Sequence, residues 1–259
     1  MRTRVTLDHE ICWPRRVLTP ADAVKYIDAV GYCMLFPVNS VPLPSLYYAV
    51  TRRYPHEKMV WDKYSRLVWH WKDDLPRLRR VFYAKYFRGR GTLISLAHLP
   101  YFLAMRQAPL LPSDHACFFA QGHIHDDARI IWKALDEHGP LATLELRHAC
   151  KMETKAGNVR FKRAIAELQC GLIVVHAGAE QETAAWASGR YELTCRAFPR
   201  QTAAAPGIGP EQARSMLTAK FLEWRPDASP AQVARLFSWS KEEAAVACTS
   251  ARRPSHAGS

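Results

Sequence analysis

The chain lacks a long apolar segment. None of its 259 residues falls in an uninterrupted apolar run of about 18, the length that a membrane-spanning helix needs. Its opening, MRTRVTLDHE, is polar and charged rather than an apolar signal core. No amphipathic pattern of membrane-surface type stands out either. We therefore expect a cytoplasmic, nucleoid-associated protein without a membrane partner.

Cysteines at metal-binding spacing are also missing. No C-x-x-C pair occurs, and several cysteines lie in apolar surroundings, as buried free thiols do. We expect neither disulfides nor structural zinc. The seven cysteines are Cys12, Cys33, Cys117, Cys150, Cys170, Cys195 and Cys248.

Nucleotide and hydrolase motifs are absent: the sequence has no G-x-S-x-G, P-loop or G-x-G-x-x-G. We expect no cofactor. The densest ligand-like cluster is His115 with residues 123–127, HIHDD, which begins like the H-x-H-x-D motif of metallo-hydrolases. Ala128 follows where that motif needs histidine, and the segment has the pattern of a helix start. We expect no metal.

Acidic residues are scarce where basic ones are dense. The net charge is +12, and residues 52–106 alone hold 13 basic and 4 acidic side chains. Such a field recruits a polyanion, and it is interleaved with aromatic residues that either fill the core or contact bases. The candidate DNA contacts in this region are Arg52, Arg53, Arg79, Arg80, Arg88 and Arg90.

Residues 123–195 follow the order of a winged helix. One helix is predicted from Asp126 to a break at Gly139, and a second from Thr143, burying Leu144, Leu146 and Ala149. Strands at 172–175 and 191–195 flank a wing at 178–189.

The third helix of this unit is basic. Asn158 is the predicted cap, and Phe161, Ile165 and Leu168 share one face. In helix-turn-helix proteins the corresponding helix enters the major groove. The alternative is a solvated face without a DNA role. The candidate DNA contacts on this helix are Asn158, Arg160, Lys162 and Arg163.

The whole chain is predicted to be mainly α with small β wings (α+β), built from tandem winged-helix or helix-turn-helix units. Helix starts are marked by Thr19, Ser45, Ser229 and Ser240. The expected division is a basic helical unit (1–118), a winged helix (119–200), a linker (201–210), a helix-turn-helix unit (211–251) and a disordered tail (252–259).

Three segments resemble the AlkZ-like DNA glycosylases. They are IWKALDEHGPLATLELR (131–147), FKRAIAELQ (161–169) and ARSMLTAKFLEW (213–224). The resemblance implies tandem winged helices that act on DNA. Tandem units in one chain favour a monomer bound to double-stranded DNA over a dimer. The resemblance also implies a catalytic Gln-x-Gln or Gln-x-Asp pair, three residues after a glycine, that holds the attacking water. In the matching stretch, which starts at Gly31, Met34 and Phe36 occupy those two places.

Neither a thioether nor a phenyl ring can position or deprotonate water, so excision by the family route is not expected. Other acids are available, but each has the pattern of a helix cap or an ion-pair partner. The sequence thus favours a divergent AlkZ-related repair protein that binds DNA. A winged-helix transcription regulator and a protein-interaction module are the alternatives. The available acids are Asp22, Asp28, Asp62, Asp73 and Asp74.

Overall fold

The computed structural model of the chain describes residues 15–52, 61–180 and 187–252. Within these residues it is mostly helical, and its strands form small antiparallel sheets of three strands. The predicted α+β class is confirmed. No helix in the described part of the chain has the length and apolar character needed to cross a membrane.

The first part of the chain surrounds a sheet of order β1-β3-β2. Both strand pairs of this sheet are antiparallel. The elements in chain order are α1 (Pro20–Val30), β1 (Tyr32–Met34), α2 (Leu46–Thr51), α3 (Lys63–Arg77), β2 (Phe82–Ala84), β3 (Thr92–Ile94), α4 (Leu99–Arg106) and α5 (His115–Ala120).

Two predicted helix starts in this part are confirmed. The Thr19 hydroxyl accepts a hydrogen bond from the Asp22 amide at 3.1 Å, and the Ser45 hydroxyl accepts one from the Tyr48 amide at 3.1 Å. Each hydroxyl satisfies an amide that has no partner inside the first helical turn. Gly31 ends α1 with φ 79°, a backbone conformation that favours glycine.

The central part of the chain is a winged helix, as predicted. Its strands pair antiparallel in the order β4-β6-β5, and Gly139 ends its first helix. The elements in chain order are α6 (Asp126–His138), β4 (Leu141–Ala142), α7 (Thr143–Ala149), α8 (Lys155–Cys170), β5 (Val174–Glu180), β6 (Ser188–Leu193) and α9 (Thr194–Ala197).

The predicted inner face of α7 was partly wrong. Leu146 is buried, but Leu144 and Ala149 are exposed. The buried positions are Ala142, Leu146 and Cys150, which recur every four residues and so lie on one side of the helix. Thr143 does not cap α7; its hydroxyl donates a hydrogen bond to the carbonyl of the wing residue Gly189 at 2.7 Å.

The predicted start of α8 was also wrong. α8 begins at Lys155, and the Thr154 hydroxyl accepts a hydrogen bond from the Gly157 amide at 3.0 Å. Asn158 therefore lies inside the first turn. Gly157 favoured a loop in the sequence, but a Cβ there would come within 2.8 Å of the Met152 backbone. This close approach requires glycine in spite of its low helix propensity.

The wing strands are longer than predicted. Gly178 and Gly189, the expected bounds of the wing, lie within β5 and β6. Residues 181–186, at the tip, fall outside the described residues. Residues 194–195, predicted as strand, belong to α9. The ladder ends at the pair formed by Leu193, so the residues that follow have no partner strand.

The segment expected to be a linker, 201–210, is largely helical. α10 (Pro199–Ala204) runs into a 3-10 turn (Ala205–Gly207), and Ala205 is buried. Alanine has the highest helix propensity, which here outweighs the nearby proline and glycine. The division of the chain into domains at residues 118, 200 and 211 remains a prediction.

Three helices complete the described chain: α11 (Pro210–Trp224), α12 (Pro230–Phe237) and α13 (Lys241–Arg252). The Ser229 and Ser240 hydroxyls accept hydrogen bonds from amides of the first turns of α12 and α13, as predicted. Of the tail expected at 252–259, Arg252 is the last residue of α13, and the remainder lies outside the described residues.

The C-terminal helices cover one face of the first sheet. Leu217 and Phe221 of α11 share a hydrophobic cluster with Tyr32 and Met34 of β1, and the Tyr32 hydroxyl donates to the Leu217 carbonyl at 2.6 Å. Leu35 lies in a second cluster with α1, α2 and α3. The sheet therefore has a buried face on each side, because successive side chains of a strand point in opposite directions.

Candidate nucleic-acid interface

The outer face of α8 is basic and open. Phe161 and Ile165 are buried against the winged-helix core, as predicted, while Lys162 and Arg163 are exposed. Neither cation makes a hydrogen bond or ion pair with another described residue. Asn158 is half-buried on the same helix. This face can accept phosphate or base-edge contacts without first breaking an existing pair.

Arg160 differs from its neighbours because it is already paired. Its Nε lies 3.1 Å and 3.0 Å from the two carboxylate oxygens of Asp127, and its Nη2 bonds the same carboxylate. The hydrogen bonds from Arg160 lower the pKa of Asp127. This bidentate pair ties α8 to the first turn of α6.

The predicted arginines of the first half do not form one patch. Arg79 and Arg80 precede β2, whereas Arg88 and Arg90 follow it, and all four are exposed. A strand of three residues spans about 10 Å, so the two pairs lie at opposite ends of the β2-β3 hairpin.

Arg52 has a structural task. It caps α2 with φ 58°, and its guanidinium donates to the Arg15 carbonyl at 2.9 Å and lies 5.8 Å from the Tyr48 ring centroid. These contacts hold the chain ahead of α1 against α2. Arg53 lies outside the described residues.

Met34 and Phe36, at the end of β1, lie in different surroundings. Met34 is fully buried in the cluster beneath the C-terminal helices. Phe36 is half-buried in the other cluster, with ring centroids 5.5 Å from Tyr47 and 6.4 Å from Trp69. The two side chains therefore do not line a shared pocket.

Comparison with known protein families identifies a match for this chain. A family model described as AlkZ related matches residues 17–238. The chain belongs to the AlkZ-related family. No curated protein and no solved structure matches it.

Two of the candidate acids of this AlkZ-related chain, Asp62 and Asp73, occupy structural positions, as their sequence patterns indicated. The side chain of Asp62 accepts hydrogen bonds from the first amides of α3. Asp73 bonds Lys72 Nζ at 2.5 Å and His176 Nε2 at 2.6 Å, joining α3 to β5. Burial alone would raise the pKa of Asp73, but the hydrogen bonds from His176 and Lys72 lower it overall. Such a carboxylate is held ionised and is not free to activate water.

The side chains of the histidine-rich stretch are divided among separate hydrogen-bonded pairs. His125 lies 3.0 Å from Glu167, and Asp126 lies 2.7 Å from Arg129. Asp127 is taken by Arg160. Within the described ranges, no group of three or more histidine, cysteine, aspartate or glutamate side chains is arranged to hold a metal ion.

A cavity of about 370 Å³ lies between the end of α3 and the wing strands of the AlkZ-related chain. Its lining includes Arg77, Arg79, Arg190 and Glu192. Glu192 is only 7% exposed. Burial raises the pKa of its carboxyl, against the lowering effects of the hydrogen bond from the Leu193 amide and of Arg196 and the cavity arginines. Sequence reasoning missed this residue, since nothing in the pattern of β6 indicates that a glutamate is buried there.

Proposed function

We propose that this AlkZ-related protein binds double-stranded DNA and acts in DNA repair, recognising damaged DNA without the excision chemistry of the glycosylases that it resembles. The observation that carries the proposal is the open basic face of α8, where Lys162 and Arg163 have no ion-pair partner among the described residues. A helix in this position of a winged helix is suited to the major groove.

The first half of the chain supports the same partner. The excess of basic over acidic residues between 52 and 106 favours a polyanion. The exposed pairs Arg79–Arg80 and Arg88–Arg90 lie far enough apart to contact phosphates at separate points along a duplex. Phosphate contacts fix position on DNA but carry no sequence information.

Two further features favour damage recognition without excision. Met34 and Phe36 stand at the places where the resemblance implies a water-holding pair, and neither offers a hydrogen-bonding group for that task. Family membership favours repair over the alternative, a winged-helix transcription regulator. Regulators of this kind usually read palindromic sites as dimers, whereas we propose a monomer in the cytoplasm, on the nucleoid.

The α8 face is tested by a salt titration. Fluorescence anisotropy with a labelled plain duplex should give an affinity that falls steeply with salt for the wild type. The double variant Lys162→Ala, Arg163→Ala should bind more weakly, and its salt slope should flatten by roughly one unit per lost phosphate contact. Lys241→Ala removes an exposed lysine from α13 and is the matched control.

An unchanged slope in the double variant would exclude α8 from the interface. The same titration with abasic and alkylated duplexes separates the two functions. Tighter binding to either damaged duplex supports repair. Equal binding to plain and damaged duplexes, together with a strong preference for one sequence, would replace repair with regulation.

A further inference from the structure

Four aromatic rings form a continuous row at the end of β1. We call Tyr47, Phe36, Trp69 and Trp61 the aromatic row. Its ring centroids are separated by 5.5 Å from Tyr47 to Phe36, 6.4 Å from Phe36 to Trp69 and 6.0 Å from Trp69 to Trp61. The row therefore runs, ring against ring, from α2 to the start of α3.

The row passes from the core to the surface. Tyr47 is 4% exposed and Phe36 is half-buried, whereas Trp69 is 42% and Trp61 is 51% exposed. Single exposed apolar residues are ordinary on protein surfaces, but adjoining indole rings leave a contiguous apolar area in water. The buried end fixes the row in place, and the exposed end presents flat rings to a ligand.

The surroundings of the row are cationic. Lys72 Nζ lies 4.4 Å from the Trp69 ring centroid. Arg66, one turn before Trp69 on α3, is exposed and makes no hydrogen bond or ion pair with a described residue. Of the two nearby acids, Asp62 accepts hydrogen bonds from the first amides of α3, and Asp73 is already bonded to Lys72 and His176. Flat rings beside the free guanidinium of Arg66 match a base with an adjacent phosphate.

The chemistry of the row indicates how a base would be held. Every nucleobase has a π-face, so an aromatic ring can stack on any of the bases. A paired base inside a duplex is not accessible to such stacking, because the neighbouring bases cover both of its faces. Phe36 extends the row at one of the places where the resemblance implies a polar catalytic residue. The substitution therefore adds a stacking surface at the position where it removes a water-binding group.

We propose that the aromatic row binds an unpaired nucleobase of DNA by stacking, with Trp69 as its central ring and Arg66 contacting an adjacent phosphate. This inference rests on the proposed DNA binding. It assigns recognition of unpaired or displaced bases to the N-terminal unit, separately from the duplex contacts of α8.

The experiment compares a plain duplex with the same duplex carrying one bulged 2-aminopurine. The wild type should bind the bulged duplex about 5-fold or more tightly than the plain one, a stacking gain for one base. The 2-aminopurine fluorescence should fall on binding as the base stacks on indole. Trp69→Leu should lose this preference and the fluorescence change but keep the wild-type affinity and salt slope for plain duplex. Trp69→Phe should retain part of both.

Val246→Ala, at a 52% exposed apolar residue of α13, is the control for loss of apolar surface. Plain-duplex binding without a bulge preference would overturn this inference and leave the proposed function intact. A Trp69→Leu variant that binds the bulged duplex like the wild type, or that weakens both duplexes equally, would also overturn it. Failure of the wild type to bind either duplex would remove the proposed function and this inference together.

Discussion

At the scale of single residues, Glu192 makes the least expected contribution. It is a buried carboxyl in a cavity, and its pKa is raised because burial outweighs the hydrogen bond from the Leu193 amide and the attraction of the neighbouring guanidinium groups. A group whose pKa rises on folding favours the folded state at low pH. That contribution is lost as the pH increases through the folded-state pKa, because the carboxylate must then ionise where it is poorly solvated.

Glu192→Gln should therefore raise the Tm at pH 7 to 8. The gain should vanish as the pH falls below about 4, where the Glu192 carboxyl is mostly protonated in both the folded and the unfolded chain. A change on the order of 1 kcal/mol corresponds to roughly 2–4 °C in a chain of this size. Calorimetry across this pH range measures the effect. Glu180→Gln, at a more exposed carboxylate of the same cavity, is the control. A pH-independent gain would mean that ionisation of Glu192 is not the cause.

At the scale of elements, α8 combines a structural arginine with one that is free to bind. Arg160→Ala breaks the pair with Asp127 and should lower the Tm only slightly, as loss of an exposed ion pair does, with little effect on DNA affinity. Arg163→Ala should do the reverse, weakening DNA binding on the order of 1 kcal/mol at unchanged Tm. Thermal melts and anisotropy on both variants decide the matter, and Asp127→Asn should reproduce the stability loss of Arg160→Ala.

Many elements could be predicted from the sequence because their signals are local. The caps at Thr19, Ser45 and Ser229 are side-chain hydroxyls acting within one helical turn. The start of α8 could not be predicted in this way. Gly157 is required because its backbone lies close to the Met152 backbone, and that contact exists only in the folded chain.

The sequence could predict which residues make up the candidate site, but not which of them form ion pairs. The sequence identified the basic residues of α8, but it could not separate Arg160 from Arg163. That distinction depends on Asp127, which lies 33 residues earlier in the chain. The aromatic row could not be predicted for the same reason. Phe36 and Trp69 are distant in sequence and come into contact only in the folded chain.

At the scale of the whole molecule, the proposed DNA binding does not require excision chemistry. The proposed DNA contacts lie on exposed faces, whereas Met34 is sealed beneath the C-terminal helices. We expect the protein to release N7-alkylguanine from an alkylated duplex no faster than spontaneous depurination. Absence of a positioned general base alone costs roughly 100-fold to 10,000-fold.

A base-release assay followed by chromatography measures this rate. Met34→Gln should not create activity, because it places an amide in an apolar cluster at a cost of roughly 1–3 kcal/mol. Release by the wild type above the spontaneous rate would show that the chain has another catalytic group, and Glu192 would be the first residue to change.

Because α11 covers one face of the first sheet, this part of the fold can be completed only after α11 has been synthesised. Tyr32 and its acceptor at Leu217 are 185 residues apart. At ribosomal speeds of about 5–20 residues per second, Leu217 is made roughly 10–40 s after Tyr32. Until then one face of the nascent sheet exposes Tyr32, Met34 and Phe82 to water. We therefore expect this apolar surface to need protection during translation, for example by a ribosome-bound chaperone, until α11 has been synthesised.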